Sequence, residues 1–221
     1  MHSVLAVALL LASTVSAIVP ARQPQHPTGN GTKLLTWNAT QSGQYSPRST
    51  SYNWVDTGID GQYIYETNGS LILDSVNGTQ QVFVPASQIP EDYYDFWIKP
   101  DLSKVLFATN YTKQYRHSYF ADYQILDRES GQVTLLNEGQ LGDVQYAAWS
   151  PTSDMIAFVR ENDLYIWDGS ATTRVTTDGG PDLFNGVPDW VYEEEIFGTN
   201  YAFWFSPDGE YLSYLSFNET G

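Results

Sequence analysis

Apolar residues in this chain come in short bursts rather than long amphipathic stretches. Tyr63-Ile-Tyr65, Leu71-Ile-Leu73, Val82-Phe-Val84, Val105-Leu-Phe107, Ile156-Ala-Phe-Val159 and Leu164-Tyr-Ile-Trp167 are each of strand length. Asp-Gly, Asn-Gly, Asn-Asp and Ser-Gly pairs separate them, the dipeptides that tight hairpin turns require. The pattern predicts an all-β fold. Under the bursts lies a repeat. Lys99-Pro-Asp-Leu-Ser-Lys-Val-Leu-Phe107, Ser150-Pro-Thr-Ser-Asp-Met-Ile-Ala-Phe158 and Ser206-Pro-Asp-Gly-Glu-Tyr-Leu-Ser-Tyr214 share one layout. A strand end meets a Pro, a polar turn follows, and an apolar strand comes next. Asp60-Gly-Gln-Tyr-Ile-Tyr65 is a shorter version. The spacing of these units suits four-stranded propeller blades, whose faces bury one another. A β-sandwich also has short strands and regular turns, but the fixed internal layout of the turn favours a propeller. The expected architecture is a partial β-propeller of about three blades plus the start of a fourth. That number cannot close a ring, so an incomplete propeller domain is expected over residues 34–221.

The bulk composition agrees with a packed strand protein. Aromatic residues make up 15% of the chain, and Tyr and Trp favour strands over helices. The formal net charge of -16 leaves no basic stripe to meet a nucleic-acid backbone and would repel an anionic membrane surface. Near the N-terminus, Val4 to Val15 is an unbroken apolar or small run ending in Val15-Ser16-Ala17. It has the length of a signal-peptide core and is short for a membrane span. Residues 1–17 are therefore expected to be a signal peptide, and the Pro- and Gly-rich residues 18–33 an extended arm. Six N-x-S/T sequons, at Asn30, Asn38, Asn68, Asn77, Asn110 and Asn218, fit a secreted, extracellular protein. No membrane attachment is expected after signal removal. With no Cys, neither disulfides nor thiolate metal sites are available, and stability must come from the core.

Common catalytic and cofactor patterns are scarce in the chain. The three His, at positions 2, 26 and 117, have no metal-ligand spacing. No Ca²⁺ loop, phosphate-binding Gly loop or G-x-S-x-G nucleophile elbow occurs. His117 and Ser118 are adjacent, so on a strand they would point apart. No cofactor and no metal is expected.

One segment stands out: Asp189-Trp-Val-Tyr-Glu-Glu-Glu-Ile-Phe-Gly198, three consecutive carboxylates among aromatic and branched residues. Asp189 is a good helix N-cap and Gly198 a good stop, predicting about two helical turns from Trp190 to Phe197. On an α-helix Trp190, Glu194 and Phe197 would share a side, with Glu195 about 100° around from Glu194. Crowded carboxylates repel unless a cation joins them. A peptide amino terminus, a metal or an Arg would serve, and a role limited to favouring the helix dipole stays open.

The stretches Thr177-Asp-Gly-Gly-Pro-Asp-Leu-Phe-Asn-Gly-Val-Pro-Asp-Trp-Val-Tyr-Glu-Glu-Glu-Ile-Phe197 and Asn110-Tyr-Thr-Lys-Gln-Tyr-Arg-His-Ser-Tyr119 resemble the propeller domain of the dipeptidyl peptidase IV family, closest to its secreted fungal members. The likeness extends through nearly the whole chain after the signal. It implies an eight-bladed propeller over an α/β-hydrolase domain with a Ser-Asp-His triad, releasing dipeptides from peptide N-termini with Pro or Ala second. It implies that Glu194 and Glu195 bind the substrate's α-ammonium and that Arg116 contacts the carbonyl of the residue after it. It further implies a peptide substrate with a free N-terminus and a homodimer in the complete protein. The hydrolase domain would lie beyond Gly221, so the chain alone is expected to be inactive, with no catalytic residue of its own. Two rival expectations are a non-catalytic secreted propeller that binds peptides or a partner protein and a truncated, non-functional gene product.

Overall fold

The computed structural model describes residues 31, 35–47, 49–139 and 141–221. The expected signal peptide, most of the expected arm and the sequon at Asn30 lie outside the described residues. Two compact units divide the chain at residues 48 and 49. In the first, a single-turn helix α1 (Trp37–Gln41) is capped by Thr36, whose hydroxyl accepts from the Ala39 N–H.

The second unit is built from strands. β1 (Asn53–Trp54), β2 (Gln62–Thr67), β3 (Ser70–Ser75) and β4 (Gln81–Val84) form one antiparallel four-stranded sheet. β5 (Asp95–Ile98), β6 (Lys104–Lys113), β7 (Tyr119–Asp127) and β8 (Val133–Leu135) pair in sequence as a second antiparallel meander. β9 (Val144–Trp149), β10 (Ile156–Arg160), β11 (Asp163–Trp167) and β12 (Thr172–Arg174) form a third. The second and third meet where Ala121 pairs with Val144. The pairs β13 (Leu183–Asn185) with β16 (Ser216–Asn218), and β14 (Phe203–Phe205) with β15 (Leu212–Tyr214), begin a fourth. The fold is an all-β partial propeller of three blades and part of another.

The apolar bursts fall where they do because the middle strands are buried on both faces. On β6, Val105 and Phe107 join a core with Ile64, Leu71 and Val84 of the first blade. Their neighbours Leu106 and Ala108 face the opposite way, into a core with Ala147, Ile156 and Phe158 of the third. β10 repeats the arrangement, since Ala157 and Val159 turn away from that core toward Val187 and Phe203. A strand sandwiched this way must be apolar at successive positions. Each side chain withdrawn fully from water contributes about 1.5–3 kcal/mol. On β2, by contrast, Ile64 alone is buried, between half-exposed Tyr63 and Tyr65.

The repeated Pro turn is a repeated backbone closure. The N–H of Lys99 donates to the Lys104 carbonyl at 3.0 Å, that of Ser150 to Met155 at 2.8 Å, and that of Ser206 to Tyr211 at 2.8 Å. Successive turns also touch. Asp154 accepts from both Lys99 and Lys104 at 2.6 Å, and the Thr152 hydroxyl donates to the Asp208 carbonyl at 2.8 Å. Gly209 is held in that second contact with φ at +73°, and a Cβ there would lie 2.3 Å from Thr152 Oγ1. Gly58 has a similar φ of +77° but open space around it. Gly209→Ala is therefore expected to cost more than Gly58→Ala, which meets only the left-handed backbone penalty of about 1–2 kcal/mol. Urea denaturation of the two variants measures the difference; equal losses would mean that the turn-to-turn contact adds nothing.

Candidate functional site

β6 is longer than its apolar burst. It continues through polar residues to Lys113, and the hairpin tip at 114–118 carries Arg116. A bulge between Thr109 and Thr112 bends this extension. At the bulge Asn110 has φ of +52°, and its Nδ2 donates to the buried Asp122 carboxylate at 2.9 Å. Bulges of this kind re-aim the residues beyond them. The tip is then closed on itself. The Gln114 N–H donates to the Ser118 carbonyl at 3.0 Å, the Tyr115 N–H to Ser118 Oγ at 3.1 Å, and Lys113 Nζ to the Arg116 carbonyl at 2.6 Å.

Facing the tip is the insertion that follows β12, rooted in a buried carboxylate. Asp163, with no exposed surface, accepts from Thr176 Oγ1 at 2.6 Å and the Gly179 N–H at 3.0 Å, and also from Arg174 and Asn185. Asn185 spans from there to Asp178 at 3.0 Å. Gly179 passes so close that a Cβ would lie 2.5 Å from the Asn162 carbonyl oxygen. Burial alone would raise the Asp163 carboxyl. The hydrogen bonds from Thr176 and Arg174 outweigh it and hold the group below the usual carboxylate range.

The insertion ends in a helical turn that differs from the expected α-helix. Asp189 caps it, its Oδ1 accepting from the N–H groups of Val191 and Tyr192 at 2.8 and 3.1 Å. From Tyr192 to Phe197, however, the turn is a π-helix, closed by the Gly198 N–H on the Glu193 carbonyl at 2.9 Å. Gly198 ends it in the left-handed conformation, with φ of +65°. The wider i to i+5 turn replaces the predicted α spacing of Trp190, Glu194 and Phe197. Single π turns of this kind recur at functional sites. Phe197 packs instead with Tyr192 and Phe217, at ring distances of 6.1 Å to each.

The three carboxylates part company on this turn. Glu193 points inward, 1% exposed, and its Oε1 accepts from the N–H groups of His117 and Ser118 at 2.6 and 2.9 Å. Glu194 lies 3.2 Å from Arg116 Nη2, with 20% of its side chain exposed against 64% for the Arg. Glu195 is exposed on the same turn. The structure thus brings Glu194 and Arg116 together across two elements, with Glu195 next along the chain. In the sequence Glu193 is one of a run of three, and nothing local marks its amide partners at His117 and Ser118. Behind it, a cavity of about 190 Å³ separates tip and insertion, lined by Tyr115, Ser118, Asp189, Trp190, Glu193 and Glu219 among others. Burial and the nearby Asp189 carboxylate push the Glu219 carboxyl up.

The ion pair between Arg116 and Glu194, open to solvent on the Arg116 side, is worth about 0–1 kcal/mol to the fold. Its consequence is orientation: the guanidinium of Arg116 is held beside the Glu194 carboxylate, with Glu195 exposed at the next position. No group of His, Asp and Glu among the described residues is placed to hold a metal ion. The remaining sequons sit at exposed positions: Asn38 on α1, Asn68 at the turn between β2 and β3, Asn77 after β3, and Asn218 at the end of β16. Asn110 is also exposed, but its amide nitrogen is already engaged with Asp122.

The family model for the dipeptidyl peptidase IV (DPP IV) N-terminal region matches residues 99–221. A probable dipeptidyl peptidase 4 of Arthroderma benhamiae is 60% identical over 216 residues, covering 96% of this chain and 28% of that protein. The dipeptidyl peptidase 4 of Trichophyton tonsurans shows the same identity and coverage. Among solved structures, Porphyromonas gingivalis dipeptidyl peptidase 4 superposes with a TM-score of 0.73 at 27% identity, over 86% of this chain and 28% of that one. The chain spans 28% of the length of these relatives.

Proposed function

Because this chain belongs to the dipeptidyl peptidase IV N-terminal region family, we propose that it is the substrate-recognition part of a secreted serine exopeptidase that releases X-Pro or X-Ala dipeptides. Glu194 and Glu195 hold the peptide's α-ammonium, and Arg116 donates its planar fork to the first carbonyl. Fixing the amine fixes where the next bonds fall, so the site measures two residues from the peptide's start. An acylated or internal segment lacks the cation and would take water from the carboxylates without supplying a charge in exchange, which rejects it. The observation that carries the reading is the 3.2 Å approach of Arg116 to Glu194 from separate blades, with Glu195 adjoining. Secretion rests on the Val4–Val15 run and the sequons. The 221 residues contain no nucleophile elbow, and alone they are proposed to bind substrate without cleaving it.

The test is turnover of Ala-Pro p-nitroanilide by the protein expressed from its complete reading frame. Cleavage is expected, with none of the N-acetylated substrate; absence of cleavage, or equal cleavage of both, contradicts the reading.

A further inference from the structure

Glu193 is the one acid of the three that cannot reach a peptide in solvent, being 1% exposed. Placing a carboxylate there costs several kcal/mol of desolvation unless hydrogen bonds replace the lost water. It receives two, both on Oε1, from consecutive backbone amides at 2.6 and 2.9 Å. Those amides belong to His117 and Ser118, the residues directly after Arg116. Glu193 in turn directly precedes Glu194. Neighbouring residues on the insertion therefore grip neighbouring residues on the hairpin tip: one contact is a buried amide clamp, the other is the exposed pair of Arg116 with Glu194.

The tip and the insertion arise from different blades, about seventy-five residues apart in sequence. Among the described residues, their hydrogen bonds to one another end on Glu193 Oε1. The tip's other backbone bonds are internal, through Gln114, Tyr115, Lys113 and Ser118. The ion pair is too exposed to set the spacing of the two elements. On the π turn Glu193 points inward, Glu194 is partly exposed and Glu195 is exposed.

We infer that Glu193 is a positioning residue that docks the Arg116 hairpin tip onto the insertion and so sets the distance between the guanidinium and the ammonium-binding acids. The inference rests on the proposed peptide-binding role of Glu194, Glu195 and Arg116. It assigns to Glu193 reach and acceptor geometry, with its charge secondary.

Two variants separate reach from charge. Glu193→Gln keeps the length and an acceptor oxygen. Glu193→Asp keeps the charge but withdraws the carboxylate by about 1.5 Å, beyond hydrogen-bond range of both amides. Binding of Ala-Pro amide and of its N-acetyl form to this chain is measured by calorimetry, with hydrogen exchange at the His117 and Ser118 amides. Glu193→Gln is expected to stay within about threefold of wild type, a small shift on the affinity scale. Glu193→Asp is expected to lose roughly tenfold to a hundredfold for the free-amine peptide, the scale of a 1 Å misplacement. Exchange at His117 and Ser118 should quicken in the Asp variant and hold in the Gln variant. If Asp binds like wild type, or if Gln loses as much as Asp, the positioning role is overturned. Should wild type fail to prefer the free amine, the proposed peptide site fails instead, and the exchange comparison still decides whether Glu193 clamps the tip.

Discussion

Glu194→Gln should lower affinity for a free-amine dipeptide by roughly thirtyfold to several-thousandfold, the equivalent of about 2–5 kcal/mol for truncating one partner of a desolvated charge pair. The substitution keeps the shape and one acceptor oxygen, so what is lost is the charge that faces the ammonium and one of its two acceptors. The 20% exposed Glu194 side chain is already partly withdrawn from water by the Arg116 tip, and a bound peptide would complete the exclusion. Charge interactions strengthen as water leaves. Folding should hardly change, because the existing pair with Arg116 is worth no more than about 1 kcal/mol. The melting temperature and the affinity are thus expected to separate, and a parallel fall in both would mean that Glu194 is structural. The pH dependence has a defined sign. The ligand's amine must be protonated, and with an ordinary α-amino pKa of about 8 binding should weaken as pH rises above that value. Isothermal titration across that range, with wild type and variant side by side, reads both effects.

The second large effect falls on stability. Asp163→Ala removes the acceptor shared by Thr176, Gly179, Arg174 and Asn185 at the root of the insertion. Arg174 reaches solvent, so the cost falls on the buried donors of Thr176 and Asn185, which are left unpaired at about 1–3 kcal/mol each. That is a large part of the 5–15 kcal/mol expected for a whole domain. For a unit of this size the melting temperature should fall on the order of 10 °C. The carboxyl is held below its usual range in the folded chain, which gives a pH prediction too. Its contribution is fully present above the unfolded value of about 3.9 and is lost as pH falls below it through the folded value. Asp101 behaves alike: burial would raise it, but Lys99 and Ser103 bring it down to about 2. Stability should therefore decline in acid, and Asp163→Ala should show a shallower decline than wild type. Differential scanning calorimetry between neutral and acidic pH checks this; identical slopes would show that Asp163 does not hold the insertion through its charge.

The blades were legible in the sequence because their turns carry specific chemistry. Ser150-Pro and Ser206-Pro-Asp-Gly announce the same backbone closure wherever they occur. The doubly buried β6 and β10 announce themselves as unbroken apolar runs. What stayed hidden was longer-range. The extension of β6 through Asn110-Tyr-Thr-Lys113 is polar, since it leaves the core to carry the tip, so no apolar pattern marks it. The location of Arg116 therefore came from family resemblance and not from periodicity. Asp189 and Gly198 signalled a helix and its end, but an i to i+5 turn has no sequence period that separates it from an α-helix of the same length. In the sequence Glu193 is indistinguishable from its neighbours in one acidic run. Its partners are backbone amides on another blade, and backbone donors leave no residue signature.

The most direct measurement is a paired titration of the wild-type chain with Ala-Pro amide and N-acetyl-Ala-Pro amide at neutral pH. Binding of the first and a loss of about a hundredfold or more for the second are expected, as for an ammonium paired with a carboxylate that binding withdraws from water. Equal affinity for the two peptides would contradict recognition of the amino terminus by Glu194 and Glu195.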